Sequence, residues 1–75
     1  MEIREKVLRW LETCPEPTLR FKPAWWERGE VIYENIYADG QYFGVRRFKN
    51  GAVYALVINK VSGVSLFRVP EDIIK

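Results

Sequence analysis

The sequence predicts an α+β domain, with an N-terminal helix packed on a four-stranded antiparallel β-meander. Three observations predict it: an amphipathic opening segment, a run of β-branched and aromatic residues from residue 30 onward, and three turn dipeptides ending in glycine that divide this run. A chain of 75 residues with the single cysteine Cys14 has room for one core and no internal disulfide. We therefore expect a single domain over residues 1–75.

Residues 1–13 are predicted to form the helix. Ile3, Val7, Trp10 and Leu11 recur at helical spacing and place an apolar stripe on one face. Pro15 ends the helix, because a proline ring cannot be accommodated inside a helical turn. Three prolines within residues 14–29 predict a loop without regular structure that wraps one side of the domain.

Four strands are predicted over residues 30–38, 41–49, 52–61 and 64–69. They are separated by Asp39-Gly40, Asn50-Gly51 and Ser62-Gly63, and two-residue turns of this kind favour type I′ hairpins. Turn length fixes the register and therefore the side-chain content of each sheet face. Residues 70–75 are expected to add a short helical turn, since a proline followed by acidic residues is typical of a helix start.

In this register one sheet face is a core face that receives the helix. It holds Ile32, Ile36, Phe43, Val45, Tyr54, Leu56, Ile58, Phe67 and Val69, with Glu34 and Arg47 as an ion pair at its rim. The opposite face contains no acid, and it places Tyr33 opposite Arg46 and Tyr37 opposite Tyr42.

Aromatic rings interleaved with arginine on a sheet are the features that stacking of unpaired bases requires. Between residues 40 and 70 the chain has five basic residues and no acid, so a modest net charge of +2 conceals a basic region. The sequence therefore predicts an interface for single-stranded DNA or RNA. Its candidate residues are Trp25, Trp26, Tyr33, Tyr37, Tyr42, Arg46, Phe48, Lys49 and Arg68, with Arg20 and Lys22 in the preceding loop.

Two alternatives stay open. Tyrosine and phenylalanine are good strand formers, so the aromatic face is equally compatible with packing under the loop or against a partner subunit. Exposed sheet edges on an undersized domain predict a homodimer, formed through the first or the fourth strand. A ribonuclease of the RelE toxin kind, which cleaves RNA with basic and tyrosine side chains, is the less favoured alternative.

The composition argues against other functions. The chain has no histidine and no carboxylate cluster at metal-ligand spacing, so we expect no metal, no cofactor, no small-molecule substrate and no enzymatic activity. We expect no membrane segment and a cytoplasmic location, because the longest apolar run is short and the cysteine is unpaired. The absence of histidine and the single glutamine, Gln41, point to a thermophilic source.

The order of elements, a helix, a proline-interrupted loop with Trp25-Trp26 and a basic aromatic meander, resembles the ThermoDBP family of archaeal single-stranded DNA-binding proteins. The segment YFGVRRFKNG, residues 42–51, is similar to a strand and turn of the PC4 family of single-strand-binding coactivators. PC4 proteins end in a long helix that this sequence lacks. Both resemblances imply binding of single strands by dimers, and the second implies a role for Arg46, Arg47, Phe48 and Lys49.

Overall fold

The computed structural model describes residues 2–74 and confirms the predicted fold class. Helix α1 (Ile3–Leu11) is followed by a loop that contains a 3₁₀ helix (Ala24–Arg28). Strands β1 (Glu30–Ile36), β2 (Tyr42–Arg47), β3 (Val53–Asn59) and β4 (Gly63–Val69) then form one antiparallel sheet in the order β1-β2-β3-β4. Helix α2 (Glu71–Ile74) comes last, where the sequence predicts a short helical turn. No helix within residues 2–74 is long and apolar enough to span a membrane.

Helix α1 ends one turn before Pro15. The Thr13 hydroxyl donates to the Trp10 carbonyl at 2.6 Å, and Cys14 adopts a left-handed backbone with φ 56°. A residue of this conformation after the last helical turn reverses the chain direction, so the loop returns across the sheet.

The hairpin turns differ from the prediction in length. The Tyr37 amide donates to the Gln41 carbonyl and the Phe48 amide donates to the Ala52 carbonyl, both at 2.9 Å, so three residues lie in each of these loops. Gly40 and Gly51 take φ values of 87° and 84° at the last loop position. A three-residue loop needs a left-handed residue there, and glycine supplies it without strain.

One additional residue per turn changes which side chains share a face, so the predicted faces of β3 and of β1 from Tyr33 onward are wrong, whereas Ile32 packs against the core as predicted. Val45 pairs with Ala55, and Leu56 pairs with Gly44 and Leu66. Tyr33 lies opposite Val45, not Arg46, and Tyr42 lies opposite Ile36, not Tyr37. A bulge between Val31 and Tyr33 adds a further shift in β1.

The face covered by α1 and α2, which we call the helix face, carries the odd-numbered residues of β2, β3 and β4. Its buried cluster joins one helix residue to strand residues: Val7, Phe43, Val45, Val53, Ala55 and Val69. Val7 is fully buried at the centre of the α1 stripe, so the predicted docking of the helix on the sheet is confirmed.

The opposite face, which we call the loop face, carries the even-numbered residues of the same strands and is also covered. Trp26 of the 3₁₀ helix is 1% exposed and packs on Leu56 and Leu66. Leu19 forms an isolated bridge with Leu66, accepting from its amide at 2.8 Å. Residues 14–29 therefore contain regular structure, contrary to the prediction, and they occupy part of the β4 edge that was expected to be open.

Candidate functional site

Three aromatic rings gather on the loop face beside the β2–β3 turn. Trp25 lies 5.2 Å from Phe48 and 5.1 Å from Tyr54, and Phe48 lies 5.6 Å from Tyr54, measured between ring centroids. The interplanar angles of 81°, 61° and 81° are edge-to-face arrangements, which favour the contact of one ring's positive edge with another ring's negative face. All three rings are half-buried, so each keeps part of its surface accessible.

Each ring comes from a different element. Trp25 is held by the 3₁₀ helix, Phe48 follows β2, and Tyr54 projects from β3. Gly29 makes the assembly possible, because a Cβ atom at this position would lie 2.7 Å from the Phe48 ring. The glycine thus allows the end of the loop to approach Phe48 closely.

An open hollow of about 480 Å³ lies beside the rings and is lined by Trp25, Arg28, Phe48, Lys49, Asn50 and Tyr54. We call it the aromatic hollow. Arg28, Lys49 and Asn50 are exposed around it, and no Asp or Glu lines it. The guanidinium of Arg68 lies 5.5 Å from the centroid of the Tyr54 ring and adds a third cation nearby.

The three cations beside the aromatic hollow are available to a ligand. Within residues 2–74, no ion pair shorter than 4.0 Å involves Arg28, Lys49 or Arg68. Unpaired cations beside accessible rings supply both attraction for an anion and a stacking surface.

A second polar cluster on the loop face makes most of its hydrogen bonds among its own groups, and Arg46 Nε is its one buried side-chain atom without a hydrogen-bond partner among residues 2–74. Arg46 is buried, its guanidinium lies 4.8 Å from the Trp26 ring centroid, and it donates to the Trp26 carbonyl at 2.9 Å. It also donates to Glu34 at 3.2 Å, and Glu34 accepts from the Tyr42 hydroxyl at 2.7 Å. Glu34 therefore pairs with Arg46 and Tyr42 on the loop face, not with Arg47 on a core face as predicted from the sequence.

The electrostatics of this cluster follow from its hydrogen bonds. The hydrogen bond from Tyr42 is the largest effect and lowers the pKa of Glu34. Burial opposes it, and the hydrogen bond and the charge of Arg46 then lower the pKa further. Burial raises the pKa of Tyr42, and its bond to Glu34 raises it further. At neutral pH the group is thus a neutral phenol and a carboxylate held beside a guanidinium.

Lys22 and Glu27 form an ion pair on the outside of the loop. The hydrogen bond from Lys22, with the charge of Lys22 and then of Arg46, lowers the pKa of Glu27. Arg46 Nη1 lies 3.7 Å from Glu27 Oε2, so this carboxylate links both cations. Lys22 is therefore partly neutralised, unlike the cations beside the aromatic hollow.

The structure brings together only some of the predicted site residues. Trp25, Phe48 and Lys49 line the aromatic hollow and Arg68 lies beside it. Six of the others lie elsewhere: Trp26 and Arg46 are buried anchors, Tyr42 is bonded to Glu34, Lys22 is paired with Glu27, and Arg20 and Tyr37 are exposed away from the hollow lining.

Tyr33 is on the wrong face for the predicted interface. It lies on the helix side, 5.6 Å from the Phe43 ring, and its hydroxyl accepts from Arg4 Nε at 3.0 Å. This error also comes from the turn length. One extra residue in the β1–β2 turn moves the side chains of β1 next to that turn to the other face of the sheet. The predicted acid-free face is likewise wrong, since Glu34 lies on it.

Sequence reasoning missed Arg28, Asn50 and Tyr54. A two-residue turn at Asn50-Gly51 placed Tyr54 on the core face. A three-residue loop ending at Gly51 would have placed Tyr54 on the loop face, where the structure has it. No sequence signal separates Arg28 from other loop cations, because its position depends on the 3₁₀ helix. Comparisons of the chain with protein-family models, with curated proteins and with solved structures give no match.

Proposed function

We propose that the protein binds single-stranded DNA or RNA through the aromatic hollow, without catalysing a reaction on it. The observation that supports this most directly is the packed trio of Trp25, Phe48 and Tyr54, flanked by three cations that form no ion pair with the other residues of the described range 2–74. Both family resemblances of the sequence imply the same class of ligand.

An unpaired base offers a π-face that can stack on an accessible ring, and each such stack contributes about 1–3 kcal/mol. Trp25 and Tyr54 provide the rings in the proposed complex, while Arg28, Lys49 and Arg68 meet the phosphates on either side. Duplex strands keep their base faces stacked inside the helix, so they offer only phosphates to this surface. Single strands should therefore bind more tightly than duplex.

The volume of the aromatic hollow limits how much of a strand enters it. At about 480 Å³ it lies in the lower part of the range of ligand pockets, roughly 300–1,000 Å³. We infer that one base and its sugar enter the hollow, while the flanking nucleotides lie outside on the basic surface. Little overall sequence preference follows, because most of the strand makes only phosphate contacts.

Fluorescence anisotropy with a labelled strand tests the proposal. A mixed-sequence single strand should bind, and a hairpin duplex with the same number of phosphates should compete poorly. Labelled RNA that stays intact after prolonged incubation with the protein would support a binding function without catalysis, whereas cleavage products would favour the RelE-like alternative. Equal competition by duplex and single strand would contradict the stacking role of the rings.

Self-association through β1 is a second candidate function, and one observation favours it. Val31 is 49% exposed, Ile36 is 70% exposed and Tyr37 is 44% exposed, all along the free edge of the sheet. The β4 edge is partly paired with Leu19, which leaves β1 as the edge for a second copy of the chain.

A further inference from the structure

The side chain of Asn50 has one polar group, its amide NH₂, without a hydrogen-bond partner among residues 2–74. Its Oδ1 accepts a hydrogen bond from the Ala52 amide at 3.0 Å, which closes the β2–β3 turn. The amide NH₂ is the remaining polar group, and it can only donate. Asn50 also lines the aromatic hollow, so this donor stands beside the space proposed for a base.

The other polar side chains around the hollow are also donors. Arg28 and Lys49 carry no acceptor at all, and the Trp25 indole has a single N–H. The Tyr54 hydroxyl can both donate and accept, and Asn50 Oδ1 keeps one lone pair beside its bond to Ala52. The side chains therefore present an excess of donors to the edge of any base stacked there.

The bases differ in the number of hydrogen-bond acceptors that they offer to these donors. Guanine presents O6 and N7, and thymine or uracil presents carbonyl oxygens, all of which accept hydrogen bonds. On the edge where guanine carries O6 and N7, adenine carries one acceptor, N7, beside an amino group that meets the donors without an acceptor, and cytosine carries an amino group. A donor without an acceptor loses the hydrogen bond that water would have supplied.

We propose that the aromatic hollow selects bases with carbonyl oxygens, guanine and thymine or uracil, over adenine, and that Asn50 is a specificity-determining residue. This inference rests on the proposed binding of single strands. It concerns the one base inside the hollow, while the flanking nucleotides contribute affinity without regard to sequence. The expected preference is about three- to tenfold in Kd, the range that one net hydrogen bond gives.

Strands of abasic nucleotides that carry one central base test the inference, since the phosphates stay constant and no base stacks on another. Anisotropy titrations should give tighter binding for guanine and thymine than for adenine. Asn50→Asp keeps an oxygen to accept from Ala52 but removes the donor. This variant should bind every strand more weakly, because of its added negative charge, and should lose the preference for guanine over adenine.

Asn59→Asp is the matched control. Asn59 closes the β3–β4 turn in the same way, with Oδ1 accepting from the Val61 amide at 2.9 Å and the Ser62 amide at 2.7 Å. It adds the same charge at the other end of the sheet and should retain the preference of the wild-type protein. Melting temperatures of both variants establish that each is folded.

The outcomes separate the inference from the function on which it rests. If mixed-sequence strands bind but all single-base strands bind alike, or if Asn50→Asp keeps the guanine preference, the selection by Asn50 is overturned and the proposed function stands. If no strand of any sequence binds the folded protein, both are overturned.

Discussion

The guanidinium of Arg46 lies 4.8 Å from the centroid of the Trp26 ring and donates to the Trp26 carbonyl at 2.9 Å. One side chain of β2 thus holds both the ring and the backbone of the residue that anchors the loop. Because Trp26 is also buried on Leu56 and Leu66, the loop and the sheet share one core cluster. The aromatic hollow depends on this attachment, since the neighbouring Trp25 forms one of its walls.

Arg46→Ala should therefore reduce stability. The change removes the buried hydrogen bond to the Trp26 carbonyl, and such a bond from a charged group contributes about 1.5–3 kcal/mol, while the bond to the partly exposed Glu34 adds little because of solvent screening. We expect a loss of about 1.5–3 kcal/mol in urea denaturation. Arg47→Ala, an exposed change on the other face of the same strand, should stay within about 0.5 kcal/mol of wild type. Equal stability of the two variants would contradict the anchoring role.

Leu56→Ala tests the packing of the loop on the sheet. Leu56 is fully buried with Trp26 and Leu66, so truncation loses transfer free energy and leaves a cavity. The free energy of unfolding should fall by about 2–5 kcal/mol. Val61→Ala, at a turn position that is 99% exposed, should change it by no more than about 0.5 kcal/mol. A small effect at Leu56 would mean that the loop is not packed on this face.

The dependence of stability on pH tests the bond between Glu34 and Tyr42. Because the folded pKa of Glu34 is lowered, its contribution is present above the unfolded value, about 4.3, and is lost as pH falls through the folded value. Because the folded pKa of Tyr42 is raised, its contribution is present below about 10 and is lost as pH rises further. Denaturation of Glu34→Gln should show a flatter acid limb, and Tyr42→Phe a flatter alkaline limb.

Glu16→Gln provides the control for the acid limb, since Glu16 is exposed in the loop. Its stability profile at acid pH should follow that of the wild-type protein. An acid limb in Glu34→Gln as steep as in wild type would show that the pairing with Tyr42 and Arg46 does not contribute to stability.

Most of the fold could be predicted from the sequence, because helical spacing and the glycines of the turns are local signals. The faces of the sheet could not. A glycine at positive φ fits both a two-residue turn and the last position of a three-residue loop, and the two choices place Tyr54 on opposite faces. The burial of Arg46 could not be predicted either, because it depends on contact with Trp26, which lies in a loop distant in sequence.

Ile36→Lys tests self-association through β1. Ile36 is 70% exposed at the end of the free edge, and a charge there would repel a second copy placed against it. Light scattering at increasing concentration should show a dimer for the wild-type protein and a monomer for the variant. Val61→Lys, on a turn away from this edge, should behave as wild type. A wild-type mass that stays monomeric on concentration would exclude this assembly.

The central proposal is most directly tested by the salt dependence of single-strand binding in Lys49→Ala and Lys60→Ala. Both lysines are exposed in turns at opposite ends of β3, and only Lys49 lines the aromatic hollow. In a plot of log K against log salt concentration, Lys49→Ala should have weaker binding and a slope shallower by about 0.7, the release of counterions from one phosphate of a single strand. Lys60→Ala should reproduce the wild-type line. Identical lines for Lys49→Ala and wild type, or equal losses in the two variants, would contradict binding at the aromatic hollow.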